Sequence, residues 1–280
     1  MNAQCNNDTW ISIGEKTDFA DKMEYTRMNL NFLQGIPFLT RLIKRIPSPC
    51  ALCHSNSRDG ICDDCYRRYF ASHVPRCTIC GNPLPFHDPD IPDLCCGNCL
   101  KNLPSFDETV VATDYEPPLD QLVHLLKFQF NLEMAPIMGK LIAGAMHEKN
   151  LESLPDYLIA VPLGKQRLIE RGFNQSLEIA KTFSRQIKVG LVFDMVERNR
   201  ETEKQSIVSL KERKKNIHKA FRIVDAKRHL IEDRHIGIVD DVMTTGDTLE
   251  EIAIILKKAG ARRITNFVFA RTPPKNMQEI

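Results

Sequence analysis

Residues Ile236–Thr248 read IGIVDDVMTTGDT, and the fold is decided there. Ile236, Ile238 and Val239 come without polar alternation, the mark of a strand buried on both faces of a parallel sheet. The strand ends in two consecutive acids, Asp240 and Asp241, and a turn rich in Thr and Gly follows before a helix opens around Leu249. Ligands of open parallel sheets bind just beyond the carboxyl ends of the strands. There the N–H groups of Val242, Met243, Thr244, Thr245, Gly246, Asp247 and Thr248 form an anion cradle with the hydroxyls of Thr244, Thr245 and Thr248 and the helix start. Gly246 lets the backbone approach a phosphate closely. The carboxylates instead accept hydrogen bonds from sugar hydroxyls and help hold a hydrated magnesium ion. Acids beside a phosphate nest describe a ligand that is both a sugar and a phosphate.

Outward from this turn, short apolar runs alternate with helical patterns. Thr109–Ala112 precedes a helix over Leu119–Phe128, Tyr157–Val161 precedes one over Ser176–Ile187, and His235–Val239 precedes one over Thr248–Lys258; Ile264–Ala270 is the last strand. The expected class is α/β, a parallel sheet flanked by helices, over residues 105–275. A second loop follows a buried strand at Val161–Arg167, VPLGKQR: Val161, Pro162, Leu163, Gly164, Lys165 and Arg167, with Arg171 beyond. Its cations supply charge suited to a pyrophosphate; a solvated basic loop is the plainer reading.

The whole chain of 280 residues carries 42% hydrophobic and 26% charged residues and a formal net charge of +2. That is ordinary for a soluble protein and neither demands nor excludes a nucleic-acid partner. No apolar run approaches the roughly 18 residues of a membrane span, and MNAQCNNDTW lacks the pattern of a signal peptide. The expected compartment is the cytoplasm. Residues 1–46 have no clear role: Phe32, Leu33, Phe38, Leu39 and Leu42 allow one short amphipathic helix, and Met28 opens a second start-like stretch, MNLNFLQG. Residues 276–280 read as a tail.

Residues 47–104 are rich in Cys, Pro and Gly and poor in aliphatic side chains, too poor to build a core. Nine of the ten cysteines lie between Cys50 and Cys99, eight of them as Cys-x-x-Cys pairs: Cys50/Cys53, Cys62/Cys65, Cys77/Cys80 and Cys96/Cys99. Two such turns complete one tetrahedral thiolate site, so four pairs imply two structural zinc ions, each supplying folding free energy on the order of 10 kcal/mol. Pairing in sequence order is preferred to a crossed arrangement. Cys95 is an alternative to Cys96. His54, His73 and His87 are not needed as ligands, and so many evenly used pairs argue for structure over redox chemistry.

The paired cysteines, YEPPLDQLVHLLKF at Tyr115–Phe128, RGFNQS at Arg171–Ser176 and VDDVMTTGDT at Val239–Thr248 follow one another between Pro49 and Thr272. Together they closely resemble the ComF family, including its GntX-like members: a double zinc ribbon before a type I phosphoribosyltransferase domain. The resemblance implies binding of 5-phosphoribosyl 1-pyrophosphate (PRPP) with Mg2+. In it Asp240 and Asp241 are the catalytic pair on the ribose hydroxyls, 242–248 hold the 5-phosphate, and the Val161 loop holds the pyrophosphate, often through a non-proline cis peptide. It also implies a mobile lid over Glu197–Phe221, where Arg198, Lys204, Lys211, Arg213, Lys214 and Lys215 are candidates for closing on PRPP or tracking nucleic acid; a solvated charged helix is the plainer alternative. ComF proteins are associated with competence, the uptake of transforming single-stranded DNA. Single-stranded DNA and other competence proteins are therefore the implied partners, with Tyr66, Arg67, Arg68 and Tyr69 as possible stacking and charge contacts. Two functions stay open: transfer of phosphoribose to an acceptor with loss of pyrophosphate, or a non-catalytic DNA- or protein-binding factor regulated through the PRPP site.

Overall fold

Five strands run in one direction through a single sheet in the computed structural model, which describes residues 48–71, 74–85, 94–149, 151, 153–199 and 220–274. The chain begins with a small hairpin, β1 (Ser48–Pro49) and β2 (Asn56–Ser57), then helices α1 (Asp63–Tyr69) and α2 (Gly97–Lys101). The α/β body follows as β3 (Glu108–Asp114), α3 (Asp120–Phe128), α4 (Met134–Glu148), β4 (Tyr157–Ala160), α5 (Lys165–Arg171), α6 (Gln175–Ile187) and β5 (Gly190–Leu191). It closes with β6 (Val196–Arg198), β7 (Phe221–Ile223), β8 (His235–Met243), α7 (Asp247–Lys258) and β9 (Arg263–Arg271). The sheet order is β3-β9-β8-β4-β5, every neighbour parallel, and β6 pairs antiparallel with β7 as a separate ribbon.

Each central strand feeds two cores, and this is why its sequence lacks alternation. Leu158, Ala160, Val239, Phe267 and Phe269 face a core closed by α3, α4 and α6, where Leu122, Met138, Ile142, Ile179 and Phe183 are fully buried. Ile159, Ile236, Ile238 and Val268 face the other side, closed by α7, by the β6–β7 ribbon and by Cys77, Cys80 and Cys99. The cysteine-rich segment thus lends part of its surface to the core of the body.

The sequence periodicity expects all four long strands and three of the helices, but not α4. Its window MAPIMGKLIAGAMHE carries Pro136, Gly139 and Gly144, residues that lower helix propensity. Pro136 sits in the first turn, where its missing N–H costs nothing. Gly139 is there for contact: a Cβ on it would lie 2.8 Å from the Ile179 carbonyl oxygen and 3.0 Å from the Phe183 nitrogen of α6. Gly139→Val is expected to force the two helices apart and lower stability by about 1–3 kcal/mol, read as a lower urea midpoint at unchanged slope.

Candidate functional site

Topology brings the two predicted loops together. β4 and β8 are neighbours, with Ala160 opposite Val239 and the Val161 N–H donating to the Val239 carbonyl at 3.0 Å. From β4 the chain moves outward to β5, from β8 the other way to β9, so a crevice opens between their carboxyl ends. Asp240 and Asp241 lie toward the carboxyl end of β8, and Val161–Gly164 follows directly on β4. β8 runs on to Met243, pairing with β9 as far as Arg271. Val242 and Met243, read from the sequence as the start of the cradle, are therefore strand residues, and the turn itself is Thr244–Gly246.

The acids are buried, Asp240 8% and Asp241 3% exposed, and other groups compensate them. Ser176 Oγ donates to Asp240 Oδ1 at 2.8 Å, and the Asp241 N–H donates to the same oxygen at 2.9 Å. Lys127 Nζ pairs with Asp241 Oδ2, and Gln175 Nε2 donates to Asp241 Oδ1 at 3.4 Å. Burial, and then the charge of Asp241, push the Asp240 carboxyl up to about 8. Burial acts upward on Asp241 too, but the Lys127 ammonium and its hydrogen bond, with further donors, outweigh it and hold that carboxyl below its ordinary value. The pair is split into one group that keeps its proton and one that gives it up.

Beyond the strand, Thr244 and Thr245 are exposed. Gly246 takes the left-handed conformation at φ 89°, where a Cβ would lie 2.6 Å from Met243 Cε. Thr245 Oγ1 donates to Asp247 Oδ2 at 2.7 Å, bracing the bend. Along α7 the Asp247 N–H donates to Thr245 Oγ1 at 3.5 Å and the Glu250 N–H to the Gly246 carbonyl at 2.9 Å, while the N–H groups of Thr248 and Leu249 have no partner among the described residues. Open donors at a helix start suit an anion.

Opposite, Gly164 is the N-cap of α5, which places Lys165 and Arg167 on its exposed first turn. The cis peptide implied for this loop is not found: the cis bond among the described residues joins Pro117 and Pro118. The RGFNQS block connects the two sides. Asn174 caps α6, accepting from Ser176 N at 3.0 Å and Leu177 N at 3.3 Å, while its Nδ2 donates to the Val161 carbonyl at 3.0 Å. Arg171 Nη1 donates to Gln175 Oε1, and Gln175 reaches Asp241.

Lys127, Gln175 and Ser176 were given no role by sequence reasoning, although all three lie inside the quoted blocks; only the fold shows that α3 ends and α6 begins over β8. Of the lid candidates, Arg198 lies in β6 with its guanidinium 5.4 Å from the Phe221 ring of β7. Lys204, Lys211, Arg213, Lys214 and Lys215 fall outside the described residues, as do His73, His87 and 1–46. On α1, Tyr66 stacks on Phe70, Arg67 pairs with Asp64 at 2.6 Å, and Arg68 lies over Tyr69.

The cysteines form two clusters, Cys50/Cys53/Cys62/Cys65 and Cys77/Cys80/Cys96/Cys99, each with its sulfurs within 4.8 Å of one another. This is the sequence-order pairing, with Cys96 in place; Cys95 Sγ instead lies 3.7 Å from Thr78 Oγ1. Cys53 and Cys62 sulfurs are 3.5 Å apart, Cys80 and Cys96 sulfurs 3.6 Å, near the ~3.8 Å between ligands of a tetrahedral thiolate site with ~2.3 Å metal–sulfur bonds. Each cluster can hold one metal ion.

A parallel sheet whose switch point carries an acid pair and a Thr/Gly turn defines a phosphoribosyltransferase-like domain, and the phosphoribosyl transferase domain family matches residues 174–279. The chain is 35% identical over 235 residues to DNA utilization protein YhgH of Shigella flexneri, covering 81% of this chain and 98% of that protein. It is 32% identical over 228 residues to competence protein F of Haemophilus influenzae, covering 79% and 96%. The chain belongs to the ComF family. Among solved structures, glutamine PRPP amidotransferase from B. subtilis aligns over 48% of this chain and 25% of its own at 19% identity and a TM-score of 0.33, too distant to bear on function. No helix among the described residues is long and apolar enough to cross a membrane.

Lys127→Met is expected to cost roughly 3 kcal/mol at pH 7, because it leaves a buried carboxylate without its cation. The contribution of Asp241, whose pKa is lowered, is present above the ordinary carboxylate pKa of about 4 and lost as pH falls through the lowered value. The deficit of the variant should therefore persist from pH 7 down to about pH 4 and shrink only on further acidification, which urea midpoints at pH 7 and at about pH 2 would check.

Proposed function

We propose that this protein binds PRPP with Mg2+ in the crevice between β4 and β8 and uses that site in DNA utilization. The observation that carries the reading is the juxtaposition of a buried acid pair with a turn of open N–H and hydroxyl donors. A sugar phosphate needs both, acceptors for its hydroxyls and donors for its phosphate. Asp240 and Asp241 take the ribose hydroxyls, Thr244–Thr248 the 5-phosphate, and the Val161–Gly164 loop with Lys165, Arg167 and Arg171 the pyrophosphate. Magnesium, bound with PRPP, neutralises pyrophosphate charge; the two carboxylates are hard oxygen donors that suit it. The names of the relatives, DNA utilization protein and competence protein, support the role in DNA utilization; single-stranded DNA is the polymer this reading assigns. Both cysteine clusters hold Zn2+, for which four thiolates are a closed, structural ligand set.

PRPP with magnesium is expected to raise the melting temperature of the pure protein, and Asp240→Asn with Asp241→Asn to abolish the shift. An unchanged wild-type melting curve at millimolar PRPP would overturn the reading. Pyrophosphate released from PRPP on adding an acceptor would mark turnover.

The raised pKa of Asp240 carries a pH signature. A carboxyl raised from about 4 to about 8 contributes stability that is complete below the lower value and lost as pH rises through the upper one. Hydroxyls are accepted by the ionised form, so binding should expel a proton below about pH 8 and PRPP affinity should climb with pH up to that point. Calorimetry at pH 7 in two buffers of different ionisation enthalpy reads the proton directly; equal heats would refute its release.

A further inference from the structure

The two cysteine clusters differ in how they meet the body. Around the second, three consecutive backbone carbonyls are held by groups of the α/β body, and a fourth by a guanidinium that the body fixes. The Thr78 carbonyl accepts from Thr109 N–H at 3.0 Å and from Lys149 Nζ at 3.4 Å, and the Ile79 carbonyl from Thr109 Oγ1 at 2.6 Å. The Cys80 carbonyl accepts from Arg271 Nε at 3.2 Å, and the Gly81 carbonyl from Arg76 Nη1 at 3.2 Å, a guanidinium itself fixed by Asp114 at 2.8 and 3.0 Å. The first cluster closes its backbone on itself, Cys50 N–H to Ser55, His54 N–H to Cys50 and Ala51 N–H to Gly60. Among the described residues it is tied to the body through side chains, by the exposed pair Lys140–Asp59 at 2.6 Å and by the Tyr66 hydroxyl with Glu148.

Arg271 extends the second cluster's anchorage into the site. It ends β9, is 5% exposed, and grips the knuckle with Nε. Its Nη1 donates to the carbonyls of Met243 at 3.0 Å and Thr272 at 2.9 Å, and also to Thr244. Met243 and Thr244 are where β8 passes into the phosphate turn. One rigid planar cation thus joins the carbonyl of a cluster cysteine to the carbonyls that open the turn. A lysine could not do this, since its single ammonium cannot span both ends.

We infer that Arg271 is a positioning residue for the Thr244–Gly246 turn, mounted on the second cysteine cluster, so that metal in this cluster and not in the first sets the order of the turn. Loss of that metal frees the Cys80 knuckle, and a buried guanidinium with one end released no longer holds the turn in a single place. If the turn binds the PRPP phosphate, as proposed above, the coupling is reciprocal: PRPP must raise affinity for the second metal by the factor by which that metal raises affinity for PRPP.

The test uses the full chain loaded with zinc. Hydrogen exchange of the amides at 244–248, measured without PRPP, is expected to accelerate in Cys99→Ser and in Arg271→Lys and to stay at the parent rate in Cys53→Ser, which removes the first metal. Arg271→Lys should keep both zinc ions by elemental analysis yet bind PRPP at least about tenfold more weakly, the scale of a lost hydrogen bond to a charged group. In a chelator time course, PRPP should slow release of one of the two metals. Parent-like exchange in Arg271→Lys, or equal effects of Cys99→Ser and Cys53→Ser, would overturn the inference. A protein that ignores PRPP but shows the exchange pattern would sink the proposed ligand and leave the positioning role standing.

Discussion

Two carboxylates taken out of water at the end of a central strand are the constraint around which this domain is arranged. Leaving either charged and alone would cost several kcal/mol. The fold answers with a different device for each: Ser176 and a backbone N–H on Asp240, Lys127 and Gln175 on Asp241. Those partners come from the end of α3 and the start of α6, so the packing of both helices against the sheet is tied to the electrostatics of the crevice. Gly139 enters here as well. It lets α4 press on α6 at Ile179 and Phe183, one to two turns beyond Gln175 and Ser176.

The cysteine-rich segment is more than an appendage. Cys77, Cys80 and Cys99 help to close one of the two cores, and the carbonyls of 78–80 are bonded to β3, to Lys149 just past α4 and to β9. A segment with so few aliphatic residues borrows its apolar surroundings from the neighbouring sheet, and the sheet in turn gains a lid for its outer face. Crowded sulfurs without an ion would have to divide their protons unequally. The hydrogen bond from Cys80 draws Cys77 down to about 4, while burial is the first cause pushing Cys99 up to about 12. A cation removes that conflict by letting all four sulfurs ionise together.

Much of this was legible in the residues. Uninterrupted apolar runs announced buried parallel strands, and Cys-x-x-Cys spacing announced two four-cysteine sites, whose preferred sequence-order pairing the clusters bear out. The DDVMTTGDT run announced an acid pair followed by a bend. Three things were not legible, each for a physical reason. The helix at Met134–Glu148 hides behind Pro136, Gly139 and Gly144, which tertiary contact tolerates and local propensity penalises. The start of the turn was set two residues early because ladder pairing with β9 carries β8 through Val242 and Met243, and no local signal reports a neighbouring strand. Lys127 is 114 positions from Asp241 in the chain, and a pairing over that distance is a property of topology.

Asn174 performs two tasks with the two ends of one amide. Its oxygen starts α6 by accepting from Ser176 and Leu177, and its NH2 holds the Val161 carbonyl on the far side of the crevice. Aspartate would serve the first task equally well but has no proton to give the second. Exchanging one for the other would leave the helix intact while unhitching the β4 loop from it, separating the folding of this wall from its shape. Few positions in the domain let those two properties be pulled apart by exchanging an amide group for a carboxylate of the same outline.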